Sequence, residues 1–158
     1  MRSLKKPSKA KSVTTDHDWI AYLTGQWQLR REITDHRQQQ TGRLTGTARF
    51  VVSGDTLAWE ESGRLIMGQY DGEAWQAYTL RPKADGGAQV LFTDGRVFFD
   101  LPKGATALSI SHDCAPDRYD GTLSVQDADH WQLQWRVKGP RKDYAMASYY
   151  ERRPADAD

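Results

Sequence analysis

The spacing of apolar residues changes once along the chain, at Gly25. Before that residue, apolar side chains recur at helical spacing, at Trp19, Ile20, Tyr22 and Leu23. Asp16 and Asp18 precede or begin this stretch, where a carboxylate can cap the first helical turn. The pattern therefore predicts one short amphipathic helix that ends at Gly25. Because so short a helix is unstable alone, we expect it to cap another structure.

From Trp27 onward, apolar and polar residues alternate, which is typical of half-buried β-strands. Turn residues interrupt the alternation at the roughly 8–12 residue spacing of an all-β barrel or sandwich. Asp94-Gly95 is the strongest turn, because this dipeptide favours tight hairpins. The segments expected to form strands are 27–33, 44–52, 56–62, 64–70, 74–80, 89–93, 96–101, 107–111, 119–125, 131–138 and 143–151.

These segments predict an all-β fold, a single antiparallel meander barrel of about ten strands with the short helix plugging one end. The chain shows neither an alternation of strands with helices nor an internal repeat. Closure into a barrel removes the exposed strand edges that would otherwise invite aggregation.

Length and charge limit the organisation and the partners. The chain has 158 residues, which suits one domain with a real core. It carries 22 Lys and Arg against 21 Asp and Glu, so no global positive charge favours nucleic acid. Basic residues crowd the N-terminus, at Arg2, Lys5, Lys6, Lys9 and Lys11. We therefore expect a disordered basic tail over residues 1–13 and a barrel domain over residues 14–154.

Several sequence features bear on localisation. No apolar segment follows the basic tail as in a signal peptide, and no run of about 18 apolar residues predicts a membrane span. Cys114 is the single cysteine, so no internal disulfide forms and a reducing, cytoplasmic setting is expected. A monomer or a homodimer is expected, and the sequence assigns no cofactor.

The two ends of the predicted barrel carry a matched pair of features. Gly25-x-Trp27 opens the first strand, and Arg152 and Arg153 end the last. Together with the strand meander, this resembles the calycin group, which includes lipocalins and fatty-acid-binding proteins. The resemblance implies that Trp27 seals one barrel end and that Arg152 or Arg153 packs across it by a cation–π contact. It also implies a ligand held inside the barrel.

A closer resemblance extends over nearly the whole chain. It is carried by Leu23-Thr24-Gly25-x-Trp27, Phe92-Thr93-Asp94-Gly95-Arg96, His112-x-Cys114-x-x-Asp117-x-Tyr119 and Trp135-x-Val137-x-Gly139-Pro140-x-Lys142-Asp143-Tyr144. In combination these motifs resemble an uncharacterised bacterial family with a lipocalin-like domain of unknown function. The resemblance supports the barrel fold and implies almost nothing about activity.

The first candidate site is His112, Cys114, Asp117 and Tyr119. His112 and Cys114 share a strand face with apolar residues, so we expect them to point inward at a barrel mouth. Three interpretations remain open: a buried network in which Asp117 orients His112, polar contacts to a ligand, or a metal or catalytic site. No third and fourth zinc ligands are evident, and no metal is predicted.

The second candidate site is Arg96 with Lys142 and Tyr144. If the loops that carry them share a rim, Arg96 and Lys142 form a clamp for a carboxylate or phosphate. The alternative is ordinary pairing, of Arg96 with Asp94 or of Lys142 with Asp143.

The third candidate site lies among the aromatic residues, which form either core or pocket wall: Trp59, Trp75, Phe92, Trp131 and Trp135. Glu61 shares the inward face of Trp59 and therefore needs a buried partner. Arg31, on the face of Trp27, is the natural candidate. The pair is expected to be structural or to form the polar floor of a ligand pocket.

These observations favour intracellular binding of a small, partly apolar molecule, whose acidic or polar head meets Arg96, His112, Tyr119 and Lys142. One alternative is a small barrel enzyme of the isomerase, lyase or decarboxylase type that uses a His, Tyr, Asp and Arg set. The other is an interaction module with a solid core. An interior of about 300 Å³ or more would favour the first two functions, and a packed interior the third.

Overall fold

Extended backbone dominates residues 18–154, the part of the chain that the computed structural model describes. One helix, α1 (Trp19–Leu23), precedes the strands. The strands are β1 (Gly25–Asp35), β2 (Gln40–Ser53), β3 (Thr56–Met67), β4 (Tyr70–Pro82), β5 (Ala88–Leu91), β6 (Val97–Leu101), β7 (Ala107–Cys114), β8 (Asp117–Asp127), β9 (His130–Lys138) and β10 (Asp143–Arg152).

Helix α1 forms where the sequence predicts it. The Asp18 carboxylate accepts hydrogen bonds from the Ile20 and Ala21 amides at 3.0 and 3.4 Å, and the Thr24 amide closes the C-terminal end on the Ile20 carbonyl. Gly25 follows with φ +124°, a backbone angle that favours glycine and turns the chain into β1. The predicted basic tail, residues 1–13, lies outside the described residues.

Strand β3 corrects the predicted strand boundaries. Segments 56–62 and 64–70 were expected to be separate strands, but Gly63 lies within the continuous strand Thr56–Met67. Gly63 pairs with Gly46 of β2, and a Cβ atom on Gly46 would lie 2.0 Å from the Ser62 carbonyl oxygen. The two glycines therefore mark a close approach of two backbones within the sheet, and the hairpin turn comes later, at Gly68.

All ten strands belong to one antiparallel sheet, in the order β6-β5-β4-β3-β2-β1-β10-β9-β8-β7. The sheet curls into a nearly closed barrel, which confirms the predicted all-β meander. Within residues 18–154, β1 and β10 are the only paired strands that are not neighbours in sequence. Their register places Trp27 opposite Arg152 and so brings the two ends of the domain together.

The barrel is not closed by hydrogen bonds. Strands β6 and β7 end the sheet and do not pair with each other, so the expectation that closure removes both edges is wrong. Aromatic side chains span this seam instead. The Phe98 ring of β6 lies 5.2 Å from the His112 ring of β7 and 5.1 Å from the Trp135 ring of β9, measured between centroids.

Helix α1 plugs one end of the barrel. The Trp19 Nε1 group donates to the Pro102 carbonyl at 2.8 Å, and the Tyr22 hydroxyl donates to the Asp127 carbonyl at 2.8 Å. At the same end, the guanidinium carbon of Arg152 lies 4.2 Å from the centroid of the Trp27 ring. Arg152 also donates to the Tyr22 carbonyl at 2.8 Å, which ties the last strand to the helix.

The interior is filled mostly by aromatic and aliphatic side chains. Trp27, Trp59 and Trp131 are at most 3% exposed, and Trp131 stacks on Tyr150 with centroids 3.8 Å apart. Trp75 is the exception among the aromatic residues expected to be core or pocket wall. Trp75 and the buried Leu80 lie on opposite faces of β4, and the Trp75 side chain is 68% exposed on the outer face.

Candidate functional site

The candidate residues of the first two sites lie at the barrel end opposite α1. In an antiparallel meander, successive loops alternate between the two ends, so the β5–β6, β7–β8 and β9–β10 connections share one rim. Arg96 lies in the first connection, Cys114 and Asp117 flank the second, and Lys142 lies in the third. The condition set for a clamp by Arg96 and Lys142, a shared rim, is therefore met.

Both cations at this rim already have carboxylate partners. Arg96 Nε lies 2.8 Å from Asp94 Oδ2, and this hydrogen bond raises the pKa of Arg96, with a smaller contribution from the nearby Cys114 thiol. Lys142 Nζ lies 3.1 Å from Asp117 Oδ2. The alternative pairing of Lys142 with Asp143 is not found, because Asp143 pairs with Arg136 at 2.6 Å.

Of the three interpretations left open for the first site, the one in which Asp117 orients His112 does not match the contacts of Asp117. Asp117 begins β8 opposite Cys114, where its carboxylate reaches the β9–β10 loop and Lys142. Among the described residues, none donates to or accepts from the His112 ring, which packs instead against Phe92, Phe98 and Tyr119. Asp117 is therefore not the hydrogen-bond partner of His112.

Tyr119 and Tyr144 continue the rim site toward the interior. Tyr119 pairs with Val137 across β8 and β9, and Tyr144 pairs with the same residue across β9 and β10, so the two side chains share a face. Burial, with Tyr119 close by, raises the pKa of Tyr144 well above its ordinary value. The Tyr144 hydroxyl therefore remains protonated at neutral pH and can donate a hydrogen bond.

A charged pair lies deeper in the barrel, between the rim and the plugged end. Arg31 Nη2 lies 2.7 Å from Glu61 Oε1, and the side chains are 10% and 2% exposed, which confirms the predicted pair. Strand β2 lies between them and contributes the small Ala48 side chain opposite Glu61. The register supplies two more partners, since Ser148 lies opposite Arg31 and Gln76 opposite Glu61.

Glu61 accepts hydrogen bonds at both oxygens. Its Oε1 accepts from Arg31 and, at 2.9 Å, from Gln76 Nε2. Its Oε2 accepts from Trp59 Nε1 at 3.0 Å and from the Tyr150 hydroxyl. Four donors fill the lone-pair positions of a carboxylate, so the buried charge is fully compensated.

The remaining donors of Arg31 complete this network, which we call the polar floor: Arg31, Trp59, Glu61, Gln76, Ser148 and Tyr150. Arg31 Nε donates to Ser148 Oγ at 2.6 Å. Burial lowers the pKa of Arg31, but the Tyr150 and Glu61 oxygens raise it by more, so the guanidinium stays charged. Burial and the Glu61 carboxylate hold the pKa of Tyr150 well above its ordinary value.

A cavity of about 50 Å³ lies against the polar floor. Its wall toward the rim is aromatic and apolar, and includes Phe98, Phe99, Trp135 and Met146. Arg31 and Tyr78 also line it, and neither Arg31 Nη1 nor the Tyr78 hydroxyl has a hydrogen-bond partner among residues 18–154. Burial raises the pKa of Tyr78 to about 12, so this hydroxyl is protonated at neutral pH.

Arg31, Trp59 and Glu61 were predicted from the sequence, whereas Gln76, Tyr78, Ser148 and Tyr150 were not. The signal was present in strand parity. Met146, Ser148 and Tyr150 alternate along β10, and Gln76 and Tyr78 share the face of the buried Leu80 on β4. Polar residues at inward positions of β4 and β10 therefore predict the polar floor in the same way as Glu61 does on β3.

Neither a metal cluster nor a membrane-spanning helix occurs in the part of the chain that the structure describes. No three His, Cys, Asp or Glu side chains there are grouped to hold a metal ion. The single described helix is too short to cross a bilayer.

Comparison with known families decides the affiliation of the barrel. Residues 23–152 match a family of unknown function, DUF6314. The chain belongs to this family. The match begins at the end of α1 and finishes at Arg152, so DUF6314 comprises the whole barrel described above. No curated protein matches the chain significantly.

Two solved structures support the fold of this DUF6314 member. The S-type phycobiliprotein lyase CPES from Guillardia theta superposes with a TM-score of 0.67 at 9% identity, over 94% of this chain and 100% of the lyase. A DUF3598 protein of unknown function from Nostoc punctiforme superposes with a TM-score of 0.56 at 14% identity. That superposition covers 85% of this chain and 49% of the Nostoc protein. At such identities the likeness shows a shared barrel fold alone.

Proposed function

We propose that this barrel binds a small, partly apolar molecule through the end that α1 leaves free. The polar head of the ligand lies on the polar floor, and its apolar part lies among the aromatic side chains below the rim. The supporting observation is the cavity itself: Arg31 and Tyr78 line it together with aromatic side chains, and each carries a polar group without a partner among the described residues. Ligand sites in proteins combine mostly apolar walls with a few convergent polar groups in this way.

The size of the cavity defines how binding must proceed. A volume of about 50 Å³ holds about one or two water molecules. A ligand that fills a typical pocket therefore has to displace side chains of the wall. Phe98 and Met146 lie on the rim side of the cavity, and Phe98 also spans the unpaired seam between β6 and β7. Because no hydrogen bonds close that seam, outward movement of β6 breaks none between the two strands.

The test is titration of the protein with N-phenyl-1-naphthylamine, an uncharged dye that fluoresces in apolar surroundings. We expect saturable binding of one dye per chain. Met146→Ala enlarges the cavity without touching the polar floor, so the dye should bind about tenfold more tightly. Trp75→Ala is the control, because it removes an exposed aromatic side chain from the outer face of the barrel.

The two variants separate interior binding from surface binding. A dye that responds to Trp75→Ala and not to Met146→Ala lies on the outside, and the proposed function is then wrong. Absence of binding by the wild type and by Met146→Ala leads to the same conclusion.

A solid-core interaction module is the second candidate function, and the small cavity favours it. The interior volume is far below the roughly 300 Å³ that a pocket for a drug-sized ligand requires. Under this function the barrel is a rigid scaffold, and Met146→Ala only loosens its core. The dye titration distinguishes the two functions, since a module of this kind takes up no dye in either form.

A further inference from the structure

We infer that the ligand head group is uncharged, a hydroxyl, carbonyl or amide, and that the site disfavours carboxylates and phosphates. This inference rests on the proposed function and specifies the class of ligand for the same site. It narrows the expectation from sequence, in which an acidic head was equally acceptable.

The charges of the polar floor are balanced. Arg31 and Glu61 lie 2.7 Å apart and are almost completely buried, so the floor carries one positive and one negative charge. A ligand carboxylate placed at the free Arg31 Nη1 would also approach the Glu61 carboxylate. Attraction and repulsion then largely cancel, and nothing offsets the cost of removing the ligand charge from water.

Displacing Glu61 from Arg31 has a large cost in free energy. It accepts hydrogen bonds from Arg31, Gln76, Trp59 and Tyr150. An anionic ligand that replaced Glu61 as the partner of Arg31 would leave a buried carboxylate without its cation. Breaking a buried pair in this way is strongly unfavourable, whereas adding an uncharged acceptor beside it is not.

At the rim, too, an acidic head group would meet cations that are already paired with carboxylates of the protein. Arg96 is paired with Asp94 at 2.8 Å and Lys142 with Asp117 at 3.1 Å. Each candidate cation is thus compensated by a carboxylate of the protein. An anion at the rim has to compete with that carboxylate for each of them.

The groups that remain available suit an uncharged partner. Arg31 Nη1 donates, and the Tyr78 hydroxyl both donates and accepts. A carbonyl oxygen or a hydroxyl group satisfies them without adding charge. The apolar remainder of the ligand then contacts Phe98, Phe99 and Met146.

The experiment compares two ligands with one skeleton, 4-phenylbutyramide and 4-phenylbutyrate, by calorimetric titration near neutral pH. We expect the amide to bind the wild type at least about tenfold more tightly than the carboxylate. Glu61→Gln leaves the Arg31 charge without its partner and should raise the affinity for the carboxylate by about tenfold or more.

Glu60→Gln is the matched control. It removes the same charge from the adjacent residue, but Glu60 lies on the outer face, 45% exposed and paired with Arg49. It should leave both affinities unchanged. If Glu61→Gln fails to fold, the double variant Arg31→Gln with Glu61→Gln removes both buried charges, and we expect it to retain the preference for the amide.

The outcomes separate the inference from the proposed function. If the carboxylate binds the wild type as tightly as the amide or more tightly, the inference is wrong while the barrel remains a binding protein. The same holds if the naphthylamine dye binds and the amide does not, because the head group then does not reach the floor. If neither the pair nor the dye binds, the proposed function itself fails.

Discussion

Two neighbouring tryptophans at the plugged end differ in one hydrogen bond. The Trp27 Nε1 group donates to the Leu23 carbonyl at 2.8 Å. Trp131 lies against it, with centroids 6.1 Å apart, and is 1% exposed. Trp131 Nε1 is completely buried and has no hydrogen-bond partner among residues 18–154. An unpaired buried donor reduces stability, so the two indoles are unequal in their contribution to the fold.

We therefore expect Trp27→Phe to lower the free energy of unfolding more than Trp131→Phe, by about 1–3 kcal/mol. Both substitutions remove the same atoms from the core. Trp27→Phe also leaves the Leu23 carbonyl without its donor, whereas Trp131→Phe removes an unsatisfied group and keeps a ring against Tyr150. Urea denaturation of the two variants measures the difference. Equal losses of stability would contradict the assignment of Trp131 Nε1 as unpaired.

At the scale of elements, the paired strands β2 and β3 approach each other closely at Gly46 and Gly63. A Cβ atom on Gly63 would lie 2.5 Å from the Thr45 carbonyl oxygen, and neither backbone can yield without breaking the sheet pairing on either side. This approach lets β3 continue through Gly63 and carry Glu61 to the floor on the same strand as Leu57 and Trp59.

Gly63→Ala should therefore lower the free energy of unfolding by about 2–3 kcal/mol, as overpacking of a fixed contact does. Gly72→Ala in β4 is the control, since its Cβ would meet only the exposed, movable ring of Tyr70. We expect the control to cost less than about 1 kcal/mol, measured by thermal or urea unfolding. Similar losses for both variants would show that β2 and β3 are not in fixed contact there.

Strand parity was sufficient to predict some of these elements and not others. Trp27 and Arg31 lie on one face of β1, and Trp59 and Glu61 lie on one face of β3. These shared faces were sufficient to predict the buried pair, because alternation along a strand is a local property. Trp75 was expected to be core or pocket wall because it is aromatic, but it lies on the opposite face of β4 from the buried Leu80 and is exposed. The partner of Asp117 could not be read in this way, since it depends on how the β9–β10 loop returns. The cavity volume depends on side-chain packing, which no local pattern encodes.

At the scale of the whole molecule, the interior holds several tyrosines whose hydroxyls are kept neutral. Burial raises the pKa of Tyr78 to about 12, and it also raises the pKa values of Tyr22, Tyr144 and Tyr150 well above the ordinary value. These groups are distributed from the plugged end to the rim. Their protonated form is favoured by the folded state throughout the barrel.

The consequence is a limit to stability at alkaline pH. A tyrosine whose pKa is raised in the folded state contributes to the free energy of unfolding. This contribution is complete below the pKa of about 10 in the unfolded state and is lost as the pH rises toward the pKa in the folded state. The free energy of unfolding should thus fall from about pH 10 upward. Tyrosinate absorbance should appear together with the loss of the β-sheet circular dichroism signal.

Tyr78→Phe supplies the control for alkaline unfolding, because it removes one of the titrating groups. Its free energy of unfolding should decline less steeply above pH 10 than that of the wild type. Complete ionisation of the tyrosines with an intact β-sheet signal would show that the interior is open to solvent.

The pairing of β1 with β10 joins two runs of strands that are otherwise each consecutive, and the sheet ends at the seam between β6 and β7. A circularly permuted chain, cut between Pro102 and Thr106 and linked from Pro154 to Asp18, would begin at β7 and end at β6. Every strand would then bond only to its neighbours in sequence. Since such local topologies fold faster at equal stability, we expect the permuted chain to refold faster than the natural one, in which β1 and β10 must pair across nearly the whole length of the domain.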